Sequence, residues 1–161
     1  LQLSGETRAE LQRRLALLFL GRPHSAQLMH TQVMRCLEGM GSECRPLALL
    51  RRAAMAARDA LLARDFVAFG RAMRDNTNGQ TELDPDLVSA DAWPGIEIAT
   101  AHSALGWKVN GAGGDGGSIT LLGDGQPARQ DAMIRAIEQE NAAFKHIPVT
   151  LSSAGLQVLA D

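Results

Sequence analysis

The stretch GWKVNGAGGDGGSITLL, Gly106 to Leu122, places five glycines within the seven positions 111–117, between two apolar runs. Glycine permits positive φ angles, and because it lacks a Cβ it lets another backbone or a phosphate approach the main-chain amides closely. The flanking runs, 107–110 and 118–122, have the character of strands. The stretch therefore predicts a strand, a glycine loop and a strand. Two glycines suffice for a tight turn, so five favour close approach, but a long hairpin turn stays open as the alternative.

Two common nucleotide motifs do not fit this loop. Gly111, Gly113 and Gly116 satisfy the Gly-x-Gly-x-x-Gly dinucleotide fingerprint, but that motif works by opening a helix whose N-terminus meets a pyrophosphate. Here the strand-like segment 118–122 follows the loop, so the Rossmann interpretation fails in its context. The chain also has no Gly-x-x-x-x-Gly-Lys-Ser/Thr motif, which excludes a Walker-type P-loop.

Helical patterns dominate the chain before the loop. The capping-box spacing of Thr7 and Glu10 predicts a short helix starting at Thr7, and the apolar run 15–20 predicts a buried strand. Apolar residues three and four apart then predict three amphipathic helices. Their markers are Met29, Val33, Cys36, Leu37 and Met40, ending at Gly39–Gly41; the pattern over 46–63; and Phe66, Phe69, Gly70 and Met73.

The remaining segments complete the predicted fold. Asp84 and Pro85 predict the start of a helix that runs to Ala104, with a break at 93–95 and a stop at Gly106. Helices before the loop and strands after it predict an α+β fold in the single domain 1–161. Its antiparallel sheet, with helices on one face, is expected to contain 15–20, 107–110, 118–122 and 147–151. A helix over 127–144 and a strand over 156–159 are also predicted.

The composition narrows the class of partner. At 161 residues and 17.2 kDa the chain is long enough for one domain with a core. Its 16 Lys and Arg against 18 Asp and Glu leave no basic field to attract nucleic acid or an anionic membrane, and no apolar run approaches the roughly 20 residues of a membrane span. Cys36 and Cys44 suggest neither a disulfide framework nor a zinc motif. We therefore expect a cytoplasmic protein without nucleic-acid or membrane partners.

At the glycine loop the chain resembles a known family. Positions 107–117, WKVNGAGGDGG, are similar to the third, C-terminal signature of the GHMP small-molecule kinases, Lys-x-x-Gly-Ala-Gly-Gly-Gly-Gly before an apolar strand. Asp115 stands where that signature has a further glycine. The segment 15–30, which contains FLGRPHS at 19–25, is similar to the sugar branch of the family, the heptose-phosphate and fucose kinases and galactokinase. The similarity extends over the whole chain.

The resemblance implies part of an ATP-dependent sugar kinase. The implied fold is the ferredoxin-like, split βαβ C-terminal domain of the family. The implied reaction moves the γ-phosphoryl group of ATP, with Mg²⁺, to a sugar or sugar-phosphate hydroxyl. The family's Pro-x-x-Gly-Leu-Gly-Ser-Ser loop, and the catalytic aspartate of many members, belong to an N-terminal half, and this chain lacks that motif and begins at Leu1 without a methionine. We therefore expect one domain of a longer kinase, with the N-terminal domain as its partner and neither a catalytic residue nor a metal ligand of its own.

Two groups of residues are candidates for the site. Loop amides near the phosphates stabilise phosphoryl transfer, or the loop braces the absent phosphate loop from behind. The nucleotide or phosphate candidates are Lys108, Gly111, Ala112, Gly113, Gly114, Asp115 and Gly116. The substrate candidates, where a strand gives way to a helix, are Arg22, His24 and Ser25. The open alternatives are a solvent-facing Lys108, a solvated turn at Asp115 and an ordinary helix cap at Ser25.

Other hypotheses concern the polar residues and the whole chain. Asn76, Thr77, Asn78 and Gln80 either bind sugar hydroxyls or form a plain loop between helices. Instead of a part of an enzyme, the chain is alternatively a non-catalytic module of the same fold. Such a module would sense a small ligand, or would self-associate as a homo-oligomer through the apolar face that an N-terminal half would cover.

Overall fold

The computed structural model describes residues 1–23, 26–38, 44–111, 114 and 116–154. Among these residues, a 3-10 turn, Pro85–Leu87, lies between the regular elements. The predicted helix end at 39–41 and the predicted strand at 156–159 lie outside the described residues. In chain order the elements are α1 (Gly5–Arg14), β1 (Leu15–Phe19), α2 (Ala26–Leu37), α3 (Arg45–Leu62), α4 (Phe66–Leu83), α5 (Ala92–Ala101), β2 (Gly106–Val109), β3 (Ser118–Leu122), α6 (Pro127–Glu140) and β4 (Lys145–Ile147).

The strands form one antiparallel sheet in the order β2-β3-β1-β4. β1 pairs with β3 along its whole length, from Leu15 opposite Leu122 to Phe19 opposite Ser118. Because β3 lies between β1 and β2, those two strands run parallel, with α2 to α5 in their connection. In the same way β3 and β4 flank β1, and α6 connects them. This is the split βαβ arrangement, and the predicted α+β fold with an antiparallel sheet is confirmed.

Alternation along the strands separates the two faces of the sheet. In β1, Ala16 and Leu18 are fully buried, whereas Leu15, Leu17 and Phe19 are only partly buried. Such alternation is expected when the core covers one face. α5 and α6 cover the buried face, and the resulting core cluster includes Ala16, Leu18, Ile96, Ile119, Leu121 and Ile137.

The opposite side of the sheet, which we call the second face, is less completely covered. The register aligns Lys108 with Thr120, Thr120 with Leu17, and Leu17 with Ile147, in one row across all four strands. These four side chains are half-buried or exposed. At one end of this face, Leu122 is buried in a smaller cluster with residues of α1 and α4.

Helix α4 lies directly against the outer edge of β2. A Cβ on Gly70 of α4 would overlap the main chain at Leu105, and a Cβ on Gly106 would overlap the main chain at Gly70. The backbone N–H of Val109 donates to Thr77 Oγ1 of α4 at 3.3 Å. The helix thus covers an edge that would otherwise be free to pair with another strand. The prediction that Gly106 stops a helix is wrong, because Gly106 opens β2 and is needed for this close contact.

The start of the first helix differs from the prediction. α1 begins at Gly5, and Ser4 is its N-cap residue, with Oγ accepting a hydrogen bond from the Thr7 N–H at 3.1 Å. Thr7 is therefore the third helical residue, and Glu10 pairs with Arg14 at 2.6 Å one turn further on. The predicted start at Thr7 is wrong because the serine three residues earlier already caps the amide of Thr7.

The segment between positions 76 and 104 also needs correction. α4 continues to Leu83, so the polar positions 76–80 are helical and do not form a loop. The carboxylate of Asp84 caps only the 3-10 turn, accepting from the Asp86 N–H at 2.9 Å, and the next helix begins at Ala92. Pro94 is then in the first turn of α5, where a helix needs no N–H donor. The predicted break at 93–95 is therefore absent from this helix.

The elements after the loop match the predictions in type and differ in length. β3 has the predicted bounds, whereas α6 ends at Glu140 instead of at position 144. β4 covers Lys145–Ile147 and not 147–151, because Pro148 has no N–H to donate to the ladder. None of the helices in the described ranges combines the length and the apolar composition that a bilayer span needs.

Candidate functional site

The described glycines of the loop adopt backbone angles that other residues disfavour. Gly111, Gly114, Gly116 and Gly117 have φ values of 66°, 71°, 107° and 83°. Glycine adopts such angles at no steric cost, whereas residues with a Cβ adopt them rarely. Ala112, Gly113 and Asp115 lie outside the described residues.

Two loop amides are held by the segment between α4 and α5. The Gly114 N–H donates to the main-chain oxygen of Asp86 at 3.2 Å, and the Gly116 N–H donates to Ser89 Oγ at 3.2 Å. Ser89 is buried. The sequence carries no signal for Asp86 or Ser89 at the loop, since a main-chain acceptor needs no particular side chain and a single serine forms no motif.

The end of the loop binds the chain where it leaves β1. The Gly117 N–H donates to the Arg22 carbonyl at 2.8 Å, and the Leu20 N–H donates to the Gly117 carbonyl at 2.9 Å. A Cβ on Gly116 would overlap the Arg22 carbonyl oxygen. The described amides at 114, 116 and 117 are therefore all engaged within the chain, an arrangement that suits a bracing loop.

The beginning of the loop is held by a buried side chain of α4. Gln80 is 8% exposed, and its Nε2 donates to the Gly111 carbonyl at 2.8 Å. Its Oε1 is buried and has no hydrogen-bond partner among the residues that the structure describes. Gln80 belongs to the polar cluster that the sequence analysis noted, but its contact with the loop spans 31 positions and needs the helix to be placed against β2.

Arg22 meets the loop through its main chain and α5 through its side chain. Its Nη2 forms an ion pair with Asp91 at 2.5 Å, and the arginine side chain is 61% exposed. The structure thus brings Arg22 together with Gly116 and Gly117. His24 and Ser25, the other substrate candidates, lie outside the described residues.

A short polar network crosses the strands at the mouth of the loop. Asn110 Nδ2 lies 3.1 Å from Ser118 Oγ, and Thr120 Oγ1 donates to Asn110 Oδ1 at 3.1 Å. The Asn110 N–H also donates to the Ser118 carbonyl at 2.9 Å. These three side chains were not predicted from the sequence. A usable signal exists, because Ser118 and Thr120 are two residues apart on one strand and therefore lie on the same face.

Lys108 extends along the second face beside α4. Its Nζ donates to the Val109 carbonyl at 2.8 Å, and no carboxylate among the described residues pairs with it. Burial lowers the pKa of the Lys108 ammonium, because the charged form loses hydration. The Lys108 side chain is therefore half-buried, and its role at an anionic site stays a prediction.

The described residues do not by themselves form a metal centre. Within the described ranges, no three or more His, Cys, Asp or Glu side chains are grouped to hold a metal ion.

Comparisons with known proteins place the fold. No protein-family model matches the chain. A bifunctional fucokinase/GDP-fucose pyrophosphorylase from Arabidopsis thaliana is 29% identical over 137 residues, which are 84% of this chain and 13% of that protein. The chain thus spans only a small part of the curated relative.

Solved kinase structures match most of this chain. L. major mevalonate kinase, solved with R-mevalonate, aligns with a TM-score of 0.71 at 18% identity, over 82% of this chain and 40% of the kinase. A D-glycero-D-manno-heptose 1-phosphate kinase from Bacteriodes thetaiotaomicron aligns with a TM-score of 0.52 at 20% identity, over 92% of this chain and 36% of the kinase. The resemblance found at the glycine loop is therefore confirmed: this chain has the fold of the C-terminal domain of the GHMP small-molecule kinases.

Proposed function

We propose that the chain is the C-terminal domain of an ATP-dependent kinase that phosphorylates a hydroxyl of a sugar or a sugar phosphate. The observation that carries this proposal is the glycine loop at 111–117, held between β2 and β3 of a kinase fold. The kinase neighbours support a phosphotransferase, and the fucokinase relative supports a sugar acceptor.

The hydrogen bonds of the loop support a bracing role. The N–H groups of Gly114 and Gly116 donate hydrogen bonds to acceptors in the segment between α4 and α5. The Gly117 N–H donates to the Arg22 carbonyl. In this proposal the loop supports a phosphate-binding segment of the N-terminal domain and keeps it near the phosphates. Positioning of this kind is a large part of phosphoryl-transfer catalysis.

The other predicted residues keep their roles as proposals. The loop positions proposed to contact the nucleotide are Ala112, Gly113 and Asp115. The residues proposed to contact the substrate are Arg22, His24 and Ser25. ATP would supply the phosphoryl group, and Mg²⁺ would neutralise the charge that develops on it. We place the longer protein in the cytoplasm.

A turnover assay of the longer protein tests the proposal. Purified protein that contains this chain and its N-terminal domain is incubated with ATP, Mg²⁺ and a panel of free sugars and sugar phosphates, and ADP release is measured. We expect turnover with at least one acceptor of this panel. Turnover only with acceptors that are not sugars would contradict the sugar assignment, and absence of turnover with any small hydroxyl compound would favour the non-catalytic module.

A further inference from the structure

A cavity of about 340 Å³ lies beside the row of residues on the second face, between the sheet, α3 and α4. The volume is at the lower end of the range for small-molecule sites, which are concave, mostly apolar and supplied with few polar groups. Most of its wall is apolar, and the space exists because the side chains that α3 contributes to this wall are small. This wall includes Leu15, Ala53, Ala54, Ala57, Phe69 and Met73.

The polar end of the cavity consists of Asn76, Lys108 and Thr120. Lys108 is the only ionisable group among the described lining residues, and no described carboxylate pairs with it. Asn76 makes no hydrogen bond through its side chain with any described residue. Burial lowers the pKa of the Lys108 ammonium, which donates one hydrogen bond to the Val109 carbonyl and has no countercharge among the described residues. An anion bound here would supply the missing charge.

We propose that this cavity is a binding site for a small organic anion, with the carboxylate or phosphate group at Lys108 and an apolar body against the alanines of α3. The Asn76 side chain lies beside the anionic group, whereas the Thr120 hydroxyl already donates its hydrogen to Asn110 Oδ1. A nucleotide triphosphate does not suit this cavity, because one cation and an apolar wall cannot replace the hydration of several charges. The site therefore assigns to Lys108 an anion other than the nucleotide phosphates.

The cavity lies one helical turn from the residue that holds the glycine loop. Asn76 and Gln80 are one turn apart on α4, about 6 Å along the helix axis, and Gln80 holds the first residue of the glycine loop. A small anion in this cavity would therefore bind close to the loop without being part of it.

The two lysines of the chain, Lys108 and Lys145, allow a direct binding experiment. Lys145 is exposed on β4 of the same sheet, so it serves as the internal control. Reductive ¹³C-methylation labels both side chains and keeps their charge, and NMR then reports each lysine while hexanoate, hexyl phosphate, 1-hexanol or ATP is added. The two anions distinguish a carboxylate site from a phosphate site.

We expect the anion probes to change the Lys108 signal alone. Hexanoate or hexyl phosphate should shift its resonance in a saturable way and raise its pKa, whereas 1-hexanol should leave the pKa unchanged and ATP should move neither lysine. Equal responses of Lys108 and Lys145, binding of 1-hexanol as tight as that of the anions, or ATP acting as the anions do would each overturn the proposal.

Variants in α3 and β2 test separately how the cavity and the charge of Lys108 contribute to binding of the anion. Ala57→Leu should fill the cavity and weaken binding of the anion at least tenfold, whereas Ala56→Leu, at an exposed neighbouring position that does not line this cavity, should not. Lys108→Met should abolish the preference for hexanoate over 1-hexanol. Because this variant lacks the Lys108 signal, its binding is measured by calorimetric titration, and it tests the proposal even where Ala57→Leu fails to fold. Unchanged preference in Lys108→Met would overturn the site. Binding is measured without ATP or turnover, so a failure of the anion-site proposal is distinct from a failure of the kinase proposal.

Discussion

At the scale of single residues, Gly116 has two independent reasons to be glycine. Its φ of 107° is disfavoured for other residues, and a Cβ would overlap the Arg22 carbonyl oxygen, which is held by the neighbouring Gly117 amide. That oxygen belongs to the backbone, so it cannot move aside as a side chain would. Substitution therefore strains both the loop and the end of β1.

We predict that Gly116→Ala lowers the free energy of unfolding by about 2 kcal/mol or more, from the strained φ and the overpacking together. Chemical denaturation of the chain measures this change. Gly5→Ala is the matched control, since a Cβ there meets nothing within 4 Å, and it should stay within about 0.5 kcal/mol of the parent protein. Similar values for the two variants would show that the loop tolerates a side chain at 116.

At the scale of elements, the contact between α4 and the edge of β2 organises the site. It covers the outer edge of the sheet, brings Thr77 to the Val109 N–H, and places Gln80 at the Gly111 carbonyl. The contact is possible because Gly70 and Gly106 let the two backbones meet without side chains between them. The glycine loop and the cavity at Lys108 both depend on this docking.

Substitution of two glycines inside α4, Gly70 and Gly79, tests the close contact between α4 and β2. Alanine is the better helix former by about 1 kcal/mol, yet a Cβ on Gly70 would overlap the Leu105 carbonyl group. The nearest atoms to a Cβ on Gly79 are instead side-chain atoms, of which Leu50 Cδ2 at 3.0 Å is the closest. We predict that Gly70→Ala destabilises the chain by roughly 1–3 kcal/mol and that Gly79→Ala is close to neutral. Thermal and urea unfolding measure both, and a Gly70→Ala variant as stable as Gly79→Ala would contradict the close contact.

At the scale of the whole molecule, the chain would supply one of the two domains that the proposed reaction needs. Its described loop amides at 114, 116 and 117 are engaged internally, and the aligned kinases are more than twice as long as this chain. The family's Pro-x-x-Gly-Leu-Gly-Ser-Ser phosphate loop is not found in these 161 residues. In the proposed enzyme, the nucleotide is therefore held mainly by the N-terminal domain.

We predict that the 161-residue chain alone does not consume ATP above background with any free sugar or sugar phosphate. The measurement is coupled ADP release, with folding of the same sample checked by circular dichroism. The reason is the missing nucleotide cradle, so activity should appear only when the N-terminal domain is present. Turnover by the chain alone that survives repurification would mean that the active site lies within it.

Local signals in the sequence were sufficient for the type of most elements. The 3.6-residue pattern predicted α3 to within one residue at each end, and the apolar run after the glycines predicted β3 with its observed bounds. Such patterns arise within one element, where periodicity and the properties of glycine and proline are enough. The glycine loop itself, and its resemblance to the GHMP kinases, are properties of consecutive residues and needed no coordinates.

Only the tertiary structure decided how those elements meet. Gly106 looks like a helix stop in the sequence, but it opens β2 because Gly70, 36 positions earlier, lies against it. The contacts of Ser89 and Gln80 with the loop span 27 and 31 positions, and the environment of Lys108 depends on α3 and α4 closing over one face of β2 and β3. The physical reason is that backbone proximity, burial and the loss of hydration are set by residues distant in the chain, whereas the sequence by itself determined the local conformations.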